Sequence, residues 1–341
     1  MSSDLDPGRD PSRGDFSRRL KSWDSIIVLL TLAVLVVASL GVPNFGTSRN
    51  FTFLVLDLLP IALVALPMTF IIVTGEIDLS VASTLGLCSA IMGVLWNNNM
   101  SIESIIPLCI AIGAVLGAVN GFLVTGLGLP SLAVTIGTLA LYRGLAFVVL
   151  GDSAVADFPY SYTTWVTGTI GGGAVPNVLI VLLVLALIFG IVLHATPFGR
   201  SLFAIGANDQ AAHFSGIRVA RTKFWLYVLS GAVAGLVGVL WTLRYSSARA
   251  DNGSGLELAV VAAVLLGGVS IFGGKGSLPG VLAGVVLLAA LQNALRLQDV
   301  SGQALNIVTG ALLVLSVLLP NIATAIRGNW QRRRLRQAAA R

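Results

Sequence analysis

Charged side chains are scarce in this sequence. Among its 341 residues, 11% are Asp, Glu, Lys or Arg, whereas 56% are hydrophobic and the mean hydropathy is +0.91. Soluble globular domains carry about 25% charged residues, so the composition excludes that class. The apolar runs are continuous rather than alternating, which excludes a transmembrane β-barrel. The sequence therefore predicts an all-α polytopic membrane protein.

Cysteine and histidine are also rare, with two of each. Cys88 and Cys109 both fall inside apolar segments, where a thiol behaves as a small hydrophobic group. His194 and His213 have no Cys, Asp or Glu cluster at ligand spacing around them, so no metal site is expected. No Ser/His/Asp arrangement can be assembled either, so we expect neither a cofactor nor an enzyme.

Apolar segments of membrane-spanning length recur along the chain, since a span needs about 20 residues. About ten are predicted, approximately Ser25 to Val42, Phe51 to Val73, Leu79 to Trp96, Ser104 to Thr125, Leu132 to Leu150, Asn177 to His194, Phe224 to Leu243, Glu257 to Phe272, Leu278 to Leu295 and Ala304 to Pro320. Span two is long and carries Pro60 and Pro67, and span eight is short, so one of them is expected to be tilted or broken. Spans two to five and seven to ten would enter from opposite sides, which is compatible with an inverted repeat.

The distribution of Lys and Arg predicts the orientation, because these residues accumulate in cytoplasmic loops. Most of the 21 basic residues lie in an N-terminal tail (1–24), a central loop (195–223), a turn containing Lys275, and a C-terminal tail (321–341). Only four fall in the opposite loops: Arg49, Arg244, Arg249 and Arg296. We therefore expect both termini and the central loop in the cytoplasm, around a permease domain at 25–320 that begins with an uncleaved first helix.

The central loop is the longest polar interruption between the two hydrophobic halves. Asn208 can cap a helix, Asp209 suits the positive end of its dipole, and Gly216 suits its end. These signals predict a helix from about Asp209 to Ser215. Two turns are too few for stability in water, so this helix must lean on something else.

Charges inside or beside apolar segments are costly in hydrocarbon and usually face a cavity or a partner. Asp57 and Arg143 lie at similar depth in spans two and five, where they could pair, reach the surface or contact solute. Asp78, together with Ser80, is either a cap for span three or part of a translocation path. Glu76 and Glu257 complete the set of path candidates.

Glycine is concentrated in one loop and also recurs at regular spacing within several predicted spans. The stretch Gly267 to Ser277 resembles a phosphate-binding loop, but Lys275 is followed by Gly276 where Ser or Thr is required, so a tight turn is expected. Elsewhere glycines recur at four-residue spacing, which indicates close helix packing. They are Gly113, Gly117 and Gly121 in span four, Gly231 and Gly235 in span seven, and Gly280 and Gly284 in span nine.

Four segments in this order resemble the ribose-type permease family, the membrane subunits of bacterial ATP-binding-cassette (ABC) importers for sugars. They are Thr74 to Ser83; Leu129 to Leu139 with Tyr142-Arg143-Gly144; Pro197-Phe198-Gly199-Arg200 through Asn208 to Ser215-Gly216-Ile217; and Glu257 through Leu266-Gly267-Gly268 to Ser277. The resemblance covers nearly everything after the first helix, with Ala82 standing where the family commonly has Gly. Within the family, these motifs are most similar to those of rhamnose-type and autoinducer-2-type permeases.

The resemblance implies a multi-pass protein of the bacterial plasma (inner) membrane that imports a sugar or sugar-like solute, such as a pentose, a deoxyhexose or autoinducer 2. It implies three protein partners: cytoplasmic ABC ATPase subunits that hydrolyse the ATP, a secreted or periplasmic sugar-binding protein, and a second permease copy or sister permease. The short helix would couple the permease to the ATPase. The implied coupling residues are Arg200, Asn208, Asp209, Gln210, His213, Ser215, Gly216 and Arg218.

Other interpretations remain open at this stage. A secondary carrier or channel would work without ATP and would need titrating membrane acids, for which Asp57, Glu76 and Asp78 are the candidates. A membrane scaffold would not need proline-bearing helices. The arginines of the C-terminal tail suit lipid headgroups better than nucleic acid.

Overall fold

The computed structural model describes residues 23–316 and Leu318. Most of the two predicted cytoplasmic tails (1–24 and 321–341) lies outside these residues. Trp23 and Asp24, assigned to the N-terminal tail from the sequence, instead begin the first helix.

The described residues form helices joined by short turns, with no strand among them beyond two isolated bridges. The helices are α1 Trp23–Gly41, α2 Ser48–Val73, α3 Val81–Asn97, α4 Ile102–Thr125, α5 Ser131–Leu150, α6 Tyr160–Thr167, α7 Leu179–Ala195, α8 Pro197–Ala207, α9 Asp209–Phe214, α10 Val219–Tyr245, α11 Leu256–Leu266, α12 Leu278–Arg296 and α13 Gly302–Ser316. A single 3₁₀ turn, Ile170–Gly172, follows α6.

Six of the described helices are long and apolar enough to cross a membrane: α1, α2, α4, α5, α10 and α12. The bent pair α7 and α8 raises the number to seven, while α3, α11 and α13 are shorter apolar helices. Every predicted span thus overlaps one helix in the described residues, and the number of ten crossings stays a prediction.

Helix α2 occupies the centre of the bundle. Its most apolar stretch is 94% buried, and it packs against α7, α10, α11 and α12. Pro60 and Pro67 lie inside the helix without breaking it. Neighbouring helices enclose the backbone groups that each proline leaves free, as occurs in transmembrane helices. Of the two spans expected to be tilted or broken, span two is therefore continuous, whereas the helix of span eight ends at Leu266, before the predicted end at Phe272.

The interface between α4 and α10 consists of glycines in contact. A Cβ atom added to Gly113 would overlap the carbonyl oxygen of Gly231, and one added to Gly117 would overlap that of Tyr227. On the other side of the bundle, Gly284 of α12 approaches the Ala263 carbonyl of α11 equally closely. The close-packing role predicted from four-residue spacing is confirmed.

Candidate coupling and translocation site

The central loop contains one more helix than the sequence predicted. The first, α8, is bent 68° away from α7. Thr196 begins it by accepting a hydrogen bond from the Gly199 amide at 3.2 Å, with Pro197 in the first turn. A Thr-Pro pair is a common helix start, so the signal was present but was missed.

The second helix, α9, matches its prediction. The Asn208 side-chain oxygen accepts a hydrogen bond from the Ala211 amide at 2.9 Å. Gly216 adopts a φ of +86°, the left-handed conformation that ends helices. The ordered helix is Asp209–Phe214, one residue shorter than expected.

Helix α9 presents nearly all of its side chains to the exterior, with only Ala212 buried. All eight predicted coupling residues are exposed: Arg200, Asn208, Asp209, Gln210, His213, Ser215, Gly216 and Arg218. Phe214, which the sequence had not marked as a coupling residue, is 87% exposed. A large aromatic residue in a two-turn helix whose other residues are polar or alanine was the signal that could have identified it.

A buried lysine connects α9 to the segment between α2 and α3. The Lys223 ammonium group lies 2.6 Å from the Asp209 carboxylate and 2.7 Å from the Glu76 carboxylate. The Lys223 side chain is only 9% exposed. Lysine is almost never buried without such partners.

The end of α8 is also fixed by a backbone junction. The Gly274 amide donates to the Val73 carbonyl oxygen at 2.9 Å, and Gly206 lies against both groups. A Cβ atom at Gly206 would overlap the Val73 oxygen. Any side chain at Gly206 would therefore disturb folding. A substitution at Gly206 consequently does not test coupling to an ATPase separately from folding.

The glycine-rich stretch after α11 is the tight turn that was expected. Gly268, Gly273, Gly274 and Gly276 all have positive φ values. The Ser270 amide donates to the Lys275 carbonyl oxygen at 3.0 Å, which closes the turn.

Asp78 is buried, with 1% of its surface exposed. One carboxylate oxygen accepts hydrogen bonds from the Ser80 amide (3.0 Å) and hydroxyl (2.6 Å). The other oxygen accepts from the Ser230 hydroxyl of α10 at 3.0 Å. Ser80 precedes α3 but makes no side-chain cap, so its interpretation as a cap is wrong. Asp78 does bind the backbone amide of Ser80, immediately before the helix.

A chain of buried polar side chains continues from Ser80 into the bundle. The Asn120 amide donates to the Ser80 hydroxyl at 2.7 Å, and the Tyr142 hydroxyl donates to Asn120 at 3.4 Å. Tyr142 also donates to the Leu116 carbonyl oxygen at 3.0 Å. Helices α4 and α5 are thus connected to Asp78, and sequence analysis did not identify Asn120.

The sequence had suggested that Asp57 and Arg143 could pair, but they bind other groups. Asp57 forms ion pairs with Arg244, at the end of α10, and with Arg296, at the end of α12. The Arg296 guanidinium nitrogen lies 2.8 Å from the Asp57 carboxylate. These residues are distant in sequence and meet only because α10 and α12 end beside the start of α2.

Arg143 instead binds backbone oxygens. It donates to the carbonyls of Ala250 (2.7 Å), Asn252 (2.8 Å) and Ala82 (3.2 Å). Gly86 leaves room for the guanidinium group, which a Cβ atom there would overlap.

Two acidic residues in this part of the chain, Glu257 and Asp251, differ in environment. Glu257 lies partly exposed in the first turn of α11. In the turn after α10, hydrogen bonds from Arg249 hold the pKa of Asp251 below its usual range.

A cavity of about 710 Å³ lies beside α9. Its walls come from the end of α4, the turn into α5, α9 itself and the start of α10, and both Glu76 and Lys223 line it. Among the described residues, no group of three His, Cys, Asp or Glu side chains could hold a metal ion.

The family model described as "Branched-chain amino acid transport system / permease component" matches residues 50–317. The chain belongs to this permease family. The match covers every helix from α2 to α13. This membership confirms the predicted class, a ribose-type ABC importer permease of the bacterial inner membrane.

Curated relatives are similar in sequence to this chain over most of its length. Autoinducer 2 import system permease protein LsrD of Yersinia enterocolitica is 36% identical, covering 85% of this chain and 90% of the relative. LsrD of Photorhabdus temperata is 33% identical, covering 92% and 96% respectively. No solved structure matches the chain. The family description and the relatives' names refer to different solutes, so membership identifies the class of protein and leaves the solute open.

Proposed function

We propose that this permease carries autoinducer 2 or a closely related sugar-like solute, such as a pentose or a deoxyhexose like rhamnose, across the inner membrane. A binding protein delivers the solute, and partner ABC ATPase subunits hydrolyse the ATP. The observation that carries the proposal is α9, an exposed helix connected through Lys223 to the segment that leads to Asp78. The relatives' printed function supports the choice of solute.

The proposed topology has ten crossings with both termini in the cytoplasm. Two groups of contacts lie at opposite ends of α2 and α10. Asp57 and Arg244 mark one end, and Gly206 and Lys223 mark the other. With the excess of Lys and Arg, this separation supports a cytoplasmic coupling loop at 195–223 within a permease domain at 25–320.

In this proposal α9 is the coupling helix and Phe214 is its anchor. Exposed aromatic side chains contribute most where they enter a pocket on a partner. A groove on the ATPase subunit would bury Phe214 and support a helix that is too short to be stable alone. The exposed residues around it would surround that contact.

The translocation path is proposed to follow Asp78 and the polar side chains next to it. Asp57 binds two arginines and Arg143 binds three backbone carbonyls, so we assign them to holding the end of α10 and the turn after it. Glu76 belongs to the connection with α9, and Glu257 remains a candidate for the path. A second copy or a sister permease completes the membrane part, and lipid surrounds it.

Reconstitution tests the proposal. Liposomes would contain the permease with the ATPase subunits, with ATP on the ATPase side and the binding protein loaded with autoinducer 2 on the other. We expect accumulation of autoinducer 2 that requires ATP hydrolysis, and competition by rhamnose or ribose would define the solute class. Accumulation that continues without the ATPase subunits would overturn the proposal and favour a secondary carrier.

A further inference from the structure

Three side chains on one face of α10 contact three consecutive residues of the segment after α2. Positions 223, 227 and 230 share a face because they are spaced by four and three residues. The contacts are Lys223 with Glu76 at 2.7 Å, the Tyr227 hydroxyl donating to the Ile77 carbonyl oxygen at 3.5 Å, and the Ser230 hydroxyl donating to Asp78 at 3.0 Å. Residues 76–78 are therefore held along α10, between its first turn and a point roughly 10 Å further along its axis.

Lys223 differs from the other two because it has a second partner. Its ammonium group also binds Asp209, the first residue of α9, at 2.6 Å. Asp209 is half exposed and Glu76 is mostly buried, with 49% and 18% of their side chains accessible. One buried cation therefore connects a surface carboxylate on α9 with an interior carboxylate on the segment at 76–78.

Stability alone gives little reason for this arrangement. A buried ion pair contributes weakly to folding, because losing water around the charges offsets most of the attraction between them. Two acids also share one lysine, so the group is not electrically neutral. What the arrangement provides is a fixed connection between α9 and the segment at 76–78.

We infer that Lys223 is a positioning residue that transmits displacement of α9 to residues 76–78 and so to Asp78. This inference rests on the proposed role of α9 in coupling. The 710 Å³ cavity beside α9 gives the helix room to move. From Asp78 the buried hydrogen bonds reach Asn120 of α4 and Tyr142 of α5, so a shift of the segment would alter contacts in several helices.

A double-mutant cycle tests the inference. If displacement passes from Asp209 through Lys223 to Glu76, breaking both contacts costs no more than breaking one, whereas two independent contacts would give losses that multiply. Asp209→Asn breaks only the link to α9, and Glu76→Gln breaks only the link to the interior. Each variant would be reconstituted with the ATPase subunits and loaded binding protein. The measured quantity is the amount of autoinducer 2 accumulated per ATP hydrolysed.

Each single substitution is expected to lower this ratio by about 5- to 100-fold, the usual range of coupling between sites. The double variant should lose no more than the worse single variant, since a series connection is already broken by one change. The ratio is measured on purified complexes that contain the ATPase subunits, so that any weaker docking at α9 does not enter it. Lys223→Arg should retain much of the ratio, because a guanidinium group can also bind two carboxylates.

Multiplicative losses in the double variant would overturn the inference, since they would show independent structural roles. A wild-type ratio in both single variants would overturn it as well. Lys223→Met removes both links at once and should lower the ratio as far as the worse single variant does. Lys275→Met, which removes an exposed lysine from the glycine-rich turn, is its matched control and should leave the ratio unchanged.

Failure of the inference can be told apart from failure of the proposed function. If the wild-type permease does not co-purify with the ATPase subunits, or accumulates solute without ATP, both are overturned. If the wild-type complex passes these tests and the cycle is multiplicative, only the role of Lys223 is overturned.

Discussion

At the residue scale, Asp57 and Arg143 are charged side chains in apolar segments, and the protein itself supplies partners for both. Their partners could not be deduced, because Arg244 and Arg296 come from helix ends far along the chain and Arg143 binds backbone carbonyls. Carbonyl partners carry no sequence signal, so only the fold identifies them.

The buried contacts of Arg143 lead to a prediction about stability. Arg143→Met removes the donors for three carbonyl oxygens, and a buried acceptor without a donor costs about 1–3 kcal/mol. The melting temperature of the detergent-solubilised protein should therefore fall by at least about 5 °C. Arg249→Met is the matched control, because Arg249 is half exposed and pairs only with the neighbouring Asp251. Equal melting temperatures for the two variants would contradict the assignment.

At the scale of elements, continuous apolar runs predicted the positions of the helices, and the cap signals predicted α9. The sequence did not predict the bend at Thr196, where α7 gives way to α8 at an angle of 68°. Helix α2 stays continuous because its prolines are enclosed by four neighbouring helices, a tertiary effect that local sequence does not encode. Glycine spacing predicted close packing but not that Gly113 and Gly117 meet Gly231.

The cap of α9 can be tested separately from its function. Asn208→Ala removes the hydrogen bond to the Ala211 amide, and loss of such a cap costs about 1 kcal/mol. Amide hydrogen exchange within α9 should accelerate about fivefold, with no change in α10. Asn208→Asp, which keeps a capping oxygen, should exchange like the wild type. Unchanged exchange in Asn208→Ala would mean that neighbouring elements alone hold the helix.

At the scale of the whole molecule, charge distribution and fold agree on which loops share a side. Arg244 and Arg296, predicted on the outer side, meet at Asp57, whereas Lys223 and Asp209 lie at the opposite end of α10. The family was also evident from four short motifs, because they follow one another in a fixed order between Thr74 and Ser277. The solute was not evident, because the side chains proposed for the path are neutral apart from Asp78 and Glu257 and suit many small polar molecules.

Absolute orientation can be measured with single cysteines. Ser215→Cys lies beside α9 and Ser254→Cys lies after α10, and both positions are exposed. Cys88 and Cys109 are buried and should not react. A membrane-impermeant maleimide should label Ser254→Cys in intact spheroplasts and Ser215→Cys only in inverted vesicles. The reverse pattern would place α9 outside and exclude a cytoplasmic ATPase partner.

The central claim is that α9 is the site where the ATPase subunit docks, and one binding measurement tests it most directly. Phe214→Ala should weaken co-purification of the ATPase subunit by at least about tenfold, because an exposed aromatic anchor contributes more than its neighbours. Phe53→Ala, an exposed phenylalanine near the opposite end of the bundle, should bind the ATPase subunit like the wild type. Equal ATPase binding by both variants would contradict the account.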